Sequence, residues 1–112
     1  MTDQSNRKAE LLSSPVEHID ITAFDGRPMV DAWEKMSFTS RDAARAARIL
    51  QAAVADPDCT VILTLAGSTS AGGCMHVWRD MVRNNMVDAI VSTGAAIVDM
   101  DFFEAMGFKH YQ

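Results

Sequence analysis

The sequence has 112 residues, enough for one small domain, and its 48% hydrophobic and 22% charged residues are ordinary for a globular protein. The formal net charge of −5 argues against a nucleic-acid-binding surface, which needs clustered Lys and Arg side chains. No apolar run approaches the length of a membrane span, about 20 residues, and the polar start shows no secretory signal. We therefore expect a cytoplasmic protein with a small-molecule or protein partner.

The two cysteines, Cys59 and Cys74, lie fifteen residues apart and form no C-x-x-C pair. We therefore expect no zinc or other metal site. The simplest interpretation is two ordinary buried thiols in a reducing cytoplasm.

The first part of the chain carries weak structural signals. Residues 1–15 are polar and end at Pro15, which predicts a flexible arm. Residues 16–24 alternate loosely between apolar and polar types and predict an extended segment. A turn containing Gly26 precedes a predicted short helix over residues 29–36.

A clearer helix is predicted over residues 39–55. Thr39 with Asp42 three positions on resembles a capping box. The helix should end near Ala55, because Pro57 disfavours helical geometry in the residue before it. Small apolar residues share one face of this helix at helical spacing: Ala43, Ala46, Ala47, Leu50, Ala53 and Val54.

Two short strands are predicted over residues 59–66 and 86–92, and each runs into a loop of small residues and then a helix. Strands that alternate with helices predict right-handed βαβ units and a parallel sheet. Two strands make a poor sheet, because parallel sheets are normally covered on both faces and contain more strands. We therefore expect the fold to need a further segment.

A helix is predicted after each loop. The helix after the first loop has an apolar face made of Cys74, Val77, Trp78, Met81 and Val82. The polar residues of this helix lie off that face: His76, Arg79, Asp80 and Arg83. The last helix contains Phe102, Phe103 and Met106 and should end at Gly107.

The two small-residue loops are the candidate ligand site. In a parallel α/β sheet, ligands bind beyond the carboxyl ends of the strands. A loop without bulky side chains lets backbone N–H groups approach a phosphate, and a following helix dipole favours the anion. The loops match neither a Walker A motif nor the G-x-G-x-x-G fingerprint, so a merely tight turn stays an equal alternative.

Few other residues suggest chemistry. Asp99 can cap the last helix, accept ribose hydroxyls, or do both. Asp88 is interpreted as a strand-start or turn residue, and His76 is more simply exposed than catalytic. Lys109 and His110 could serve catalysis only in a fuller protein.

The residues resemble one known family. The strand over residues 59–63, the stretch Met-Val-Arg-Asn-Asn-Met-Val-Asp over 81–88, and Val-Ser-Thr-Gly-Ala-Ala over 91–96 are similar to deoxyhypusine synthase and its bacterial relatives. The resemblance implies a Rossmann-like parallel sheet flanked by helices, with residues 16–112 as the N-terminal part of one NAD-binding α/β domain. Another chain segment would complete that domain.

The resemblance also implies an activity. In that family NAD takes a hydride from spermidine, the imine loses diaminopropane, and the aminobutyl group passes to an amine in a homotetrameric enzyme. The NAD-binding positions map onto Gly67, Ser68, Thr69, Ser70 and Ala71, onto Thr93, Gly94 and Ala95, and onto Asp99. The single acid of Val98-Asp99, where eukaryotic members have paired Glu, favours a bacterial-type relative.

No residue of this chain matches the family's catalytic lysine. A nucleophilic lysine needs a site that lowers its pKa, and Lys8, Lys35 and Lys109 have no such context. Our hypothesis is one piece of a split or cleaved enzyme, with a C-terminal fragment supplying the lysine. The rival hypotheses are a non-catalytic NAD-binding or regulatory subunit, and another nucleotide enzyme of the same general fold.

Overall fold

The computed structural model describes residues 2–112, with side chains from residue 4 onward. The two strands are β1 (Ile62–Leu65) and β2 (Ala89–Ser92). Two π-helical segments, Ser70–Cys74 and Ile97–Asp101, adjoin the helices that follow the strands. The helices are α1 (Thr2–Leu11), α2 (Arg27–Trp33), α3 (Phe38–Ala55), α4 (Met75–Arg83), α5 (Gly94–Ala96) and α6 (Phe102–Ala105).

The predicted N-terminal arm contains helix α1. Its sequence is rich in Gln, Arg, Lys, Ala and Glu, residues that lose little freedom in a helix. Residues 4–11 are all exposed, so the helix has no packed face. The arm therefore contains a helix, and its predicted flexibility stays a prediction.

The segment predicted as extended forms no strand of the sheet. Residues 16–20 run irregularly beside the C-terminal residues, where Pro15 makes an isolated antiparallel bridge with Tyr111. The Val16 amide donates to the His110 carbonyl at 2.8 Å, and the Ile19 amide donates to the Gly73 carbonyl at 2.8 Å. The segment therefore joins the end of the chain to the region before α4.

Helices α2 and α3 form a hairpin-like pair. Salt bridges join the two helices on their exposed side. Arg48 of α3 donates to Glu34 at 2.5 Å and also bonds Asp31 of α2. The predicted end of α3 at Ala55 is confirmed. The predicted capping box is wrong, because Ser37 is the N-cap residue and no side chain caps the helix.

The predicted parallel sheet is confirmed. β1 pairs with β2 in parallel, from Ile62 opposite Ala89 to Leu65 opposite Ser92. Asp88 begins this pairing, since its amide donates to the Val61 carbonyl at 2.9 Å and its carboxylate accepts from the Val61 amide at 2.7 Å. Asp88 is thus a strand-start residue, as predicted.

The chain buries very little apolar surface. Ala44, Met81 and Ala96 are the buried hydrophobic residues among those described. The radius of gyration is 18.0 Å, whereas a compact domain of this length would have about 13 Å. No helix in the described part of the chain is long and apolar enough to cross a membrane.

The prediction of two buried thiols is wrong for Cys59. This residue lies in the exposed turn between α3 and β1, because the strand begins only at Ile62. Cys74 is half-buried at the end of the first π-helical segment. Both thiols are free.

Candidate functional site

Both small-residue loops lie at the same edge of the sheet. Parallel strands place their carboxyl ends side by side, and here β1 ends at Leu65 opposite Ser92 of β2. The Thr93 amide donates to the Leu65 carbonyl at 3.1 Å, which fixes the start of the second loop against the end of the first strand. The Ala71 amide contacts the Met100 sulfur at 3.4 Å, so the two loops are also joined beyond the sheet.

The first loop leaves backbone donors free. Gly67 has φ +76, and a side chain placed there would meet no atom within 4 Å. In the described chain the amides of Gly67, Ser68 and Thr69 donate no hydrogen bond. Ser70 is fully buried and its hydroxyl has no hydrogen-bond partner among the described residues.

The second loop has a similar arrangement. Thr93 is extended, with ψ 156, and is the N-cap residue of α5. Gly94 and Ala95 begin the helix, so their N–H groups have no helical acceptor. A side chain at Gly94 would meet open space. This loop therefore presents free donors at a helix start, beside those of the first loop.

A π-helical turn follows each loop. Helical geometry begins at Ser70 and at Gly94, earlier than the sequence predicts. Gly73 lies inside the first segment, Ser70–Cys74, and its φ of +92 breaks the helical geometry before α4 begins.

Asp99 lies inside the second π-helical segment. The helical run begins at Gly94, so Asp99 is several residues past its start and cannot cap it. The capping prediction is therefore wrong. The residue is exposed, and a role in binding ribose hydroxyls stays a prediction.

These features fit the diphosphate of a dinucleotide. Free N–H groups from two adjacent loops can bind phosphate oxygens, and glycine permits close approach of the backbone. No group of His, Cys, Asp and Glu in residues 2–112 is arranged to hold a metal ion.

The structure also contains a cluster of histidines that the sequence does not predict. The Nε2 atom of His18 donates to a carboxylate oxygen of Glu104 at 2.6 Å, and the His18 ring lies 4.8 Å from the ring of His76. His110 lies 3.8 Å from the other Glu104 oxygen. His76, predicted to be exposed, is half-buried because the segment with His18 packs against it. These residues are distant in sequence, so no local pattern could reveal the cluster.

The polar face of α4 is also more covered than its sequence predicts. Asp80 is buried and accepts from Arg79 at 2.8 Å, and this hydrogen bond lowers the pKa of the Asp80 carboxyl. Trp78, predicted as core, is half-buried and donates from its indole nitrogen to Asp101 at 3.2 Å. Helix α4 is thereby bonded to the end of the second π-helical segment.

Comparison with known proteins identifies the family. The family model for deoxyhypusine synthase matches residues 28–112, and the chain belongs to this family. The chain is 68% identical over 108 residues to a deoxyhypusine synthase-like protein of Caulobacter vibrioides, covering 96% of this chain and 29% of that protein. No solved structure shows a significant match.

Two further relatives extend the comparison. A deoxyhypusine synthase-like protein of Coxiella burnetii is 65% identical over 105 residues, or 94% of this chain and 30% of that protein. A probable deoxyhypusine synthase of Methanopyrus kandleri is 41% identical over 66 residues, or 59% of this chain and 22% of that protein. The chain thus spans about 30% of the length of the curated relatives that match nearly all of it.

Proposed function

We propose that this chain supplies the two NAD-binding loops of an aminobutyl transferase that acts on spermidine or a related polyamine. The observation that carries the proposal is the meeting of two loops with free N–H donors at the carboxyl edge of a parallel strand pair. In this account the loops bind the NAD diphosphate, and Asp99 binds ribose hydroxyls or a polyamine ammonium group. NAD, when bound, would accept the hydride that makes the imine and would return it to the imine formed on the acceptor amine, so that the transfer involves no net oxidation.

The nucleophile of the proposed reaction must come from another segment. An amine attacks at neutral pH only where its environment lowers its pKa. Lys8, Lys35 and Lys109 are all exposed to solvent, whereas a lysine nucleophile lies in an enclosed site. We assign the catalytic lysine to a C-terminal fragment of the same enzyme.

The apolar surface of the chain supports such a partner. One face of the sheet, with Ile62 and Val91, is bare, and these side chains are 58% and 60% exposed. Parallel sheets are normally covered on both faces, so we propose that the C-terminal segment completes a Rossmann-like sheet here. A groove beside α3 offers a second apolar contact, lined by Ala47, Leu50, Gln51, Val54, Ala55 and Met86.

The complete enzyme is proposed as a cytoplasmic homotetramer without nucleic-acid or membrane partners. The charge of −5 disfavours contact with nucleic acid. The two free thiols suit a reducing compartment.

The activity is tested with the protein and all chains that copurify with it. Incubation with NAD and spermidine should release diaminopropane and produce a new aminobutyl amine. NAD binding without turnover would favour the rival proposal of a non-catalytic subunit, which the exposure of all three lysines also supports. Turnover of a different substrate, with no polyamine reaction, would assign the chain to another nucleotide enzyme.

A further inference from the structure

The histidine cluster brings together distant parts of the chain. All three histidines of the sequence take part: His18 and His110 lie at the carboxylate of Glu104, and the His76 ring lies 4.8 Å from the His18 ring. His18 belongs to the irregular segment before α2, His76 to α4, and Glu104 to α6, while His110 lies near the C-terminus. The side chains of His18 and Glu104 are only 8% and 12% exposed, so this is a covered cluster.

Backbone hydrogen bonds show what the cluster holds in place. The segment around His18 bonds to the C-terminal residues through Val16 to His110 at 2.8 Å and through Gln112 to Ser14 at 2.9 Å. It bonds to the region before α4 through Ile19 to Gly73 at 2.8 Å. The segment over residues 14–20 therefore lies across both helical units that follow the candidate loops.

The cluster can take up one proton without an excess of positive charge. A single carboxylate can neutralise one imidazolium, and Glu104 already bonds His18 at 2.6 Å. A second protonated ring would lie 4.8 Å from the first. The charged groups that act on His76 from the surrounding elements are Asp20, His18, Arg79, Asp80 and Glu104.

The nearby carboxylates are poorly placed to neutralise the positive charge of a second proton. The Asp80 carboxylate already accepts from Arg79 at 2.8 Å. Asp20 is exposed to water and bonds Thr22. The Nδ1 atom of His18 is buried and has no partner among the described residues. A second charge would therefore remain without a close, buried counter-ion.

We propose that His18, His76, Glu104 and His110 form a proton-sensitive clasp. At neutral pH the clasp holds residues 14–20 and 110–112 against the helices that follow the two loops. Uptake of a second proton releases these segments and leaves the sheet intact. This inference is independent of the proposed function, because it requires neither NAD nor a polyamine.

The pKa of His76 is shifted in the direction that the clasp requires. Burial, then the charges of Arg79 and His18, lower the pKa of His76 below its ordinary value of 6.5. The released state therefore binds this proton more readily than the closed state does. The closed state keeps its full stability above pH 6.5 and loses stability as the pH falls through the lowered pKa.

Hydrogen exchange on the purified protein, with all copurifying chains, tests the clasp. Between about pH 7.5 and about pH 5, protection of the Val16, Ile19 and Gln112 amides should fall, by at most about tenfold for each pH unit between the ordinary and the lowered pKa of His76. The Asp88 and Thr93 amides, which bond within the sheet region, should keep their protection. Unchanged protection of the first three amides, or equal loss at all five, would overturn the proposal.

A matched pair of variants isolates the carboxylate. Glu104→Gln should lower the protection of the Val16 and Ile19 amides at neutral pH, because the carboxylate that bonds His18 at 2.6 Å is lost. Glu17→Gln makes the same change on an exposed side chain of the clasped segment and should behave like the wild type. Equal protection in the two variants would contradict the proposal.

Titration of the wild-type histidines by NMR keeps the proposal testable if Glu104→Gln does not fold. One of the three histidines should titrate below its ordinary range, at the pH where the amides lose protection. Protection that is lost at a pH where no histidine titrates would refute the clasp.

Discussion

Gly73 permits a close approach between its backbone and that of Glu17. Its φ is +92, and a Cβ atom there would lie 2.8 Å from the Glu17 carbonyl oxygen. We predict that Gly73→Ala lowers the free energy of unfolding by about 1–3 kcal/mol, because it combines backbone strain with a clash against backbone. Urea denaturation measures the loss.

Gly72 provides the control for that substitution. It is the preceding residue in the same π-helical segment, and a Cβ atom there would meet nothing within 4 Å. Gly72→Ala should therefore leave the free energy of unfolding nearly unchanged. If both alanine substitutions lowered the free energy of unfolding equally, the close contact with Glu17 would not be the reason that position 73 needs glycine.

Gly67 tests the first loop as a phosphate site. Gly67→Val should weaken NAD binding, because a side chain blocks the approach of phosphate to the loop N–H groups. Since φ is +76 at this position, valine also adds strain. Gly67→Asn separates the two effects, because Asn tolerates this backbone region and still blocks the approach.

Calorimetric titration with NAD measures both variants, and Gly26→Ala is the control, since a Cβ atom at Gly26 also meets open space. We expect weaker binding in both Gly67 variants and unchanged binding in the control. Wild-type affinity in Gly67→Asn would remove the first loop from the NAD site.

At the scale of elements, the end of α6 follows directly from the sequence. Gly107 has φ +95 and donates to the Glu104 carbonyl at 2.9 Å, while Phe108 donates to Phe103 at 3.1 Å. This is the Schellman motif, completed by an edge-to-face contact between the Phe103 and Phe108 rings with centroids 6.0 Å apart. Gly107→Ala should therefore lower the free energy of unfolding by about 1 kcal/mol, measured by thermal or urea denaturation.

Gly26→Ala serves again as the comparison, because Gly26 has φ −83 and no steric contact at its Cβ position. If both alanines had the same effect on stability, the left-handed conformation at Gly107 would not be important for ending α6.

The elements that the sequence predicts are those with local causes. Pro57 ends α3, Gly107 ends α6, and alternation of strand and helix gives the parallel pair. The sequence predicts neither the π-helical segments nor the burial of Asp80. Asp99 illustrates the same limit, because its place in a helical run depends on an early start at Gly94.

At the scale of the candidate site, the sequence predicts the place of both loops but not their surroundings. Small residues after each strand are visible in the sequence, and the structure brings the loops together at one edge. The contact of Ala71 with Met100 and the contact of His18 with Glu104 join residues 29 and 86 positions apart. Such contacts appear only once the chain is folded.

At the scale of the whole molecule, the described residues include too few buried side chains to explain a stable fold without a partner. Val91 is 60% exposed in the middle of the sheet, where we propose that the C-terminal segment packs. Val91→Asp should disrupt the assembly with that segment, because it would bury an unpaired charge. Native mass measurement of the copurified complex detects the loss.

Gln4→Asp is the control for Val91→Asp, since it makes the same change of charge on the exposed helix α1. The control should keep the mass of the wild-type complex. A complex that tolerates Val91→Asp equally well would place the partner elsewhere.

We propose that the two loops bind NAD in the assembled protein. Calorimetric titration of the wild-type complex with NAD tests this proposal most directly. We predict saturable binding of one NAD for each copy of this chain. Absence of saturable binding in a complex that contains every copurifying chain would contradict the account.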